Sequence, residues 1–239
     1  MKNYLCLFML VILVCLPVFA ATAQNRDYRI GIHTGYGSYE LGQVKRFEKN
    51  ISSSTSWVMP LTAVQEMPAH INYGLSVSMN TEKHLFGAHY NFHSTGSRYH
   101  YGDYSGETGM NSVVKANYIG VFAAFNLISS AEKSYQMYAG LATNAIFGSY
   151  RIDEFLRIPP QEYQAQTKFT HRGIGAEMFL KLEKDIGRLI VALRAGYDNT
   201  LYSRMYYKGE VVYLASGSGG KSSVKWSGFR TGLALKVKI

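Results

Sequence analysis

The chain closes with Val224-Lys-Trp-Ser-Gly-Phe-Arg-Thr-Gly-Leu-Ala-Leu-Lys-Val-Lys-Ile239. In this stretch Phe229, Leu233, Leu235, Val237 and Ile239 share one parity, and Arg230, Gly232, Ala234, Lys236 and Lys238 share the other. A period of two defines a strand with one apolar face and one small or charged face. Helical spacing would scatter the lysines around the circumference. The stretch therefore reads as the last strand of a sheet that must close on itself, and the remaining sequence tests that idea.

The same alternation recurs upstream. Tyr28, Ile30, Ile32, Thr34 and Tyr36 oppose Arg29, Gly31, His33, Gly35 and Gly37. Ile71, Tyr73, Leu75, Val77 and Met79 oppose Asn72, Gly74, Ser76, Ser78 and Asn80. Further strands are predicted over 84–94, 135–150, 170–184 and 188–202, and over 112–128, where both parities are apolar and the faces stay unassigned. With the closing strand the count is eight. Tight turns at Thr81-Glu82, 129–134 and Asp185-Ile186 alternate with long connections at 40–68, 95–111, 151–169 and 203–223, all read as loops. Prolines after residue 23 fall only in long connections, as expected of strands paired on both edges. Even strand number, strands of about 10 residues or more, and alternating short and long connections describe an all-β, eight-stranded antiparallel up-and-down transmembrane β-barrel. Both termini then lie on the short-turn side, which places them in the periplasm.

Residues 1–23 read as a signal peptide. Lys2 precedes an apolar run from Leu5 to Leu16, followed by Pro17 and Ala21-Thr22-Ala23, so cleavage is expected before Gln24. The domain is then 24–239. Both cysteines, Cys6 and Cys15, lie in the leader, which excludes a disulfide-stapled secreted domain. After Gln24 no apolar run approaches the ~18 residues of a transmembrane helix. The net charge of +9 is scattered rather than blocked, which argues against nucleic acid.

A soluble barrel would show the same period with its faces exchanged. Three features place the apolar face against lipid. The opposite face is rich in Gly, Ser and Asn, which fit a narrow interior. Tyr28, Tyr36, Tyr39, Tyr135, Tyr150, Tyr197 and Tyr202 cluster near strand ends, as in interfacial girdles. Every second connection is also longer than soluble hairpins need.

The pattern and the ending resemble the small eight-stranded bacterial outer-membrane β-barrel proteins, in particular the Gly/Tyr-rich barrels of Bacteroidota type. The resemblance covers the whole mature chain. It implies a location in the outer membrane and two partners: membrane lipid with lipopolysaccharide, and the barrel assembly machinery. The family's assembly signal is matched by Arg230, Gly232, Leu235 and Val237, although the chain ends in Ile239 where the family often has an aromatic residue. Some members modify lipid A with a His/Ser/acid set. Here only His93-Ser94 with Ser97, and Asp103 or Glu107, could supply one.

Three groups of residues are candidates for a site. A turn centred between Asp185 and Ile186 sets Glu177 opposite Arg194 and Glu183 opposite Arg188; with Arg230 they form a structural ion network in the lumen. His33, His89 and His93 point inward, but His89 and His93 are about 13 Å apart along one strand and cannot share a metal. Tyr99, Tyr101 and Tyr104 lie in a loop of small polar residues, the composition of an adaptable recognition surface. The expected function is non-enzymatic, structural or surface-interacting, without metal or cofactor. A porin-like transporter of small or hydrophobic solutes is the alternative, and a lipid A-modifying enzyme comes third.

Overall fold

The computed structural model describes residues 27–55, 61–130, 134–212 and 223–239. The predicted signal peptide at 1–23 and the Ser/Gly-rich run at 216–221 lie outside these residues. The elements are β1 (Asp27–Gly37), α1 (Gly42–Thr55), β2 (Thr62–Glu66), β3 (His70–Asn80), β4 (His84–Asp103), β5 (Gly106–Ser130), β6 (Tyr135–Ile158), β7 (Gln161–Ile186), β8 (Leu189–Tyr207), β9 (Glu210–Val211) and β10 (Gly228–Lys238).

Eight of these strands form one antiparallel ring. The order is β10, β1, β3, β4, β5, β6, β7, β8, and β8 pairs back to β10. Closure leaves the ring without an edge, so every strand meets its backbone hydrogen bonds inside the protein, which is the condition for β-structure in hydrocarbon. β10 carries the predicted parity. Phe229, Leu233, Leu235, Val237 and Ile239 face outward and exposed, while Arg230 and Lys236 are buried in the interior. Ile30, Ile32, Leu75, Val77, Ile119, Val121, Leu141, Met178, Leu180 and Leu193 continue an outward apolar belt around the ring. A closed ring with an apolar belt and charges inside is the build of an outer-membrane β-barrel. Among the described residues no helix is long and apolar enough to cross a membrane.

The long connections differ from the sequence reading. The 95–111 segment is not a loop: β4 and β5 stay paired up to Asp103 and Gly106, leaving only Tyr104-Ser105 as the turn. The 151–169 segment is likewise paired up to Ile158 and Gln161, around Pro159-Pro160. β5, β6 and β7 are 25, 24 and 26 residues long, against the 9–11 that a span requires. The 40–68 segment folds into α1 and β2. Leu41, Val44, Phe47 and Ile51 recur at helical spacing and bind one face of α1 to the barrel interior.

The register of β7 and β8 also corrects the sequence reading. The turn is Gly187-Arg188, with Ile186 opposite Leu189. Gly187 has φ +65° at the first central position, where a type II′ hairpin turn demands a positive φ. Lys181 therefore stands opposite Arg194, and Glu177 opposite Asp198. Inward parity is unchanged, because the shift is by an even number of residues.

Candidate functional site: the lumen, its plug and the hairpin tips

Side chains of one parity fill the barrel interior in three layers. The layer nearest the termini is ionic. Glu183 is fully buried. Its Oε2 accepts from Arg29 Nη1 at 2.5 Å, and its Oε1 lies 2.7 Å from Lys181 Nζ and 2.8 Å from Lys236 Nζ. Arg29 also reaches Asp27 at 2.8 Å. Arg188, the predicted partner of Glu183, is instead exposed in the turn, a consequence of the shifted turn centre. Beside this layer Leu85, Phe122, Ala124, Tyr138, Ala142 and Phe179 form a small apolar cluster. The guanidinium of Arg194 lies 3.9 Å from the Phe179 ring centroid.

The middle layer is polar. Arg194 Nε donates to Glu177 Oε1 at 3.1 Å and Nη2 lies 3.0 Å from Oε2, a diagonal contact rather than a directly opposed pair. Arg230 donates to His93 Nε2 and to the Tyr118 hydroxyl, each at 3.0 Å, and lies 3.5 Å from Asp198. Asn144 bonds both His89 and Asp198, and His33 bonds Asn91. Inward glycines make this layer possible. A Cβ on Gly120 would collide with Asn144 Oδ1, and one on Gly148 with the His171 ring. A cavity among His33, His89, His93, Glu177, Arg194 and Arg230 measures about 70 Å³. That is room for a few ordered waters.

The third layer is an apolar plug. Leu41 and Val44 of the α1 segment meet Trp226, Tyr118, Ile146, Tyr150, Phe169 and Met205 in one buried cluster. Trp226 precedes β10 rather than belonging to it, and its Nε1 donates to His171 Nε2 at 3.0 Å. Glu48 enters this layer from α1, fully buried. It accepts from Ser97 Oγ at 2.5 Å, from the Tyr150 hydroxyl at 2.9 Å and from Ser112 Oγ. Burial pushes the Glu48 carboxyl above its ordinary value, and the three hydroxyl donors oppose that rise. The sequence reading missed Glu48 because it took 40–68 for a loop.

The structure separates the other predicted groups. Tyr99 is buried within the plug cluster, Tyr101 is half-buried, and only Tyr104 is exposed, at the hairpin tip. Tyr39 and Tyr150 point inward and do not belong to a girdle, whereas Tyr28, Tyr36, Tyr135 and Tyr197 face outward. The lipid A-type set does not assemble. His93 is held by Tyr39 and Arg230, and Ser97 by Glu48 and Ser112. Asp103 closes its own turn through Ser105, and Glu107 pairs with Arg157 at 2.6 Å. Among the described residues no three His, Asp or Glu side chains converge as a metal ion requires. Of the residues matching the assembly signal, Arg230 is anchored inside, Gly232 lies opposite Gly35, and Leu235 and Val237 face outward.

No family model matches the chain, and no curated protein matches it. Solved structures with a similar fold include Neisserial surface protein A (13% identity, covering 90% of this chain and 100% of that one, TM-score 0.36). Ail, the attachment invasion locus protein of Yersinia pestis, is 10% identical over 90% of this chain and 97% of its own, with TM-score 0.36. The outer membrane protease OmpT from Escherichia coli is 9% identical over 91% of this chain and 98% of its own, with TM-score 0.37. The likeness to these outer-membrane proteins is one of fold.

Proposed function

We propose that this protein is a sealed, non-enzymatic outer-membrane barrel that works through the surface of its extended hairpins, which stand outside the cell while both termini lie in the periplasm. The observation that carries this reading is the contrast between a closed interior and an overbuilt exterior. Ionic, polar and apolar layers fill the lumen in series, leaving a cavity of about 70 Å³. Beyond Ile174, the last outward apolar residue of β7, the strand continues for about 13 residues, roughly 40 Å of paired structure. A barrel that only had to span or conduct would not need that length. The paired tip around Tyr104 and the face of the β6–β7 hairpin offer a surface for a partner, and strand pairing there lowers the entropic cost of recognition.

Planar-bilayer recording tests the sealed lumen: purified protein is expected to give no steady conductance, and large, stable openings would overturn the reading in favour of a solute transporter. Replacing residues 153–166 by a two-residue turn tests the hairpin. The shortened protein should still run faster unboiled than boiled on gels, and cells carrying it should lose surface attachment. Attachment equal to wild type would place the function elsewhere.

A further inference from the structure

The outer surface of the barrel changes character abruptly on four consecutive strands. Moving along each strand away from the terminal end, the apolar belt gives way on the outward parity after Ile119 on β5, Phe147 on β6, Ile174 on β7 and Tyr202 on β8, with Val113, Phe155 and Tyr206 recurring further out. Within the next two outward positions each strand carries a cation: Lys115, Arg151, Arg172 and Arg204, with Lys168 further along β7. The register packs them together. Arg172 stands directly opposite Arg204, and Arg151 directly opposite Lys168. Directly opposed residues have Cβ atoms only about 4.5–5.5 Å apart, and like charges so placed repel.

Among the described residues four of these five cations lack an acidic partner. Arg151 has Asp153 at 3.0 Å. Among the described residues no carboxylate pairs with Lys115, Lys168, Arg172 or Arg204; Arg204 only lies over the Tyr202 ring, 5.1 Å from its centroid. Nor is the patch a general feature of the barrel rim. Beyond the belt the next outward residues are Ser38 after β1, Ala69 before β3, and Ser94 and Gly96 on β4, where Arg98 follows and donates to Asn111 at 3.0 Å. A fold that needed only a solvated exterior would have distributed its charges with both signs around the ring.

We propose that this face of β5–β8 is a binding site for an anionic lipid of the membrane leaflet on the hairpin side, specifically the phosphorylated glucosamine headgroup of lipopolysaccharide. The cations sit immediately past the apolar belt, so a ligand touching both must carry negative charge at the head of hydrocarbon chains. Paired guanidinium groups on Arg172 and Arg204 suit phosphate oxygens, which accept two parallel N–H bonds from each. Acyl chains of the same molecule would lie along Ile119, Ile174 and Tyr202 below.

Lipid A binding to the full mature protein, held in phosphatidylcholine nanodiscs, tests the site. Bisphosphorylated lipid A is expected to bind at least about tenfold more tightly than its dephosphorylated form, and high salt should weaken it because the cations are exposed. R172Q/R204Q and, separately, K115Q/K168Q should each remove most of that preference, and R188Q at the opposite end should not. Heat-modifiability shows whether each variant is folded, and the single changes R172Q and K168Q serve if a double variant is not. Millimolar inorganic phosphate should not compete. Full competition by phosphate would mean a simple anion site, and equal binding of both lipids, or wild-type binding by folded variants, would overturn the proposal. The nanodisc presents lipid on both faces, so this result is independent of the proposed orientation in the cell and of hairpin-mediated attachment.

Discussion

One strand, β6, passes through two environments that invert its chemistry. In its first half Leu141 and Phe147 face outward and exposed, while Tyr138 and Asn144 face the lumen and make buried hydrogen bonds. In its second half Tyr150 and Ile152 face inward to an apolar core, while Ser149, Arg151 and Asp153 face outward. The pleat never changes. What changes is the solvent: hydrocarbon around the first half, water around the second. The membrane half is an inside-out protein held by charge pairs, and the hairpin half has the buried apolar core of a soluble protein.

Three substitutions can break or sharpen that contrast. The largest effect is expected for Glu183→Gln, which strands Arg29, Lys181 and Lys236 in the ionic layer. Removing one partner of a buried charge network costs about 3–5 kcal/mol. Unfolding by denaturant in lipid vesicles measures it, and a loss under about 1 kcal/mol would mean the lumen is well hydrated. Next comes Leu193→Arg, outward on β8 in the belt. Near the bilayer midplane it should cost about 2–4 kcal/mol, whereas Gln164→Arg, exposed on the hairpin half of β7, should change stability by less than about 0.5 kcal/mol. Equal costs at both positions would erase the distinction between the halves.

The smallest effect concerns the plug. The folded-state pKa of Glu48 is raised by burial, so its folded form binds a proton more tightly than the unfolded chain. Its contribution to plug stability is therefore complete below 4.5, the ordinary carboxyl value, and falls as pH rises through the raised value. The protection factor of the Phe47 amide in α1, which divides out the intrinsic acceleration of exchange with pH, should fall across that window. Glu48→Gln should flatten the profile, with protection at neutral pH at or above wild type. A protection factor that rises with pH would reverse the sign and imply an ionised, cation-stabilised Glu48.

The inversion explains which parts of the chain were legible. β10 and β3 lie within the membrane half, so a single rule of apolar outside and small or charged inside reads both of them. β5 crosses both halves. Val114, Ala116 and Tyr118 are apolar because they face the plug, and Ile119, Val121 and Phe125 because they face lipid, so the strand is apolar on both parities. Tyr99 and Tyr101 keep the inward parity of His89 and His93, which extending the period past residue 94 would have revealed. The helix was announced by Leu41, Val44, Phe47 and Ile51, but polar residues between them dilute the signal. A turn at Asp185-Ile186 lies two residues too early, because Gly187 carries the positive φ that sets the register. The outward cation patch was invisible, since it joins residues from four strands and appears only once register is known.

The ring closes where β1 meets β10, a ladder running from Arg29 opposite Lys238 to Gly37 opposite Arg230. Its partners are roughly two hundred residues apart in the chain, so the last pairing to become available joins the two ends of the molecule. Such remote contacts make folding slow, because the cost of closing the loop must be met before the ladder rewards it. Until the final strand is synthesised, β1 and β8 each present a row of unpaired backbone groups that hydrocarbon will not accept. A chain shortened by β10 would be left with two open edges on β1 and β8, where strand edges recruit other strands.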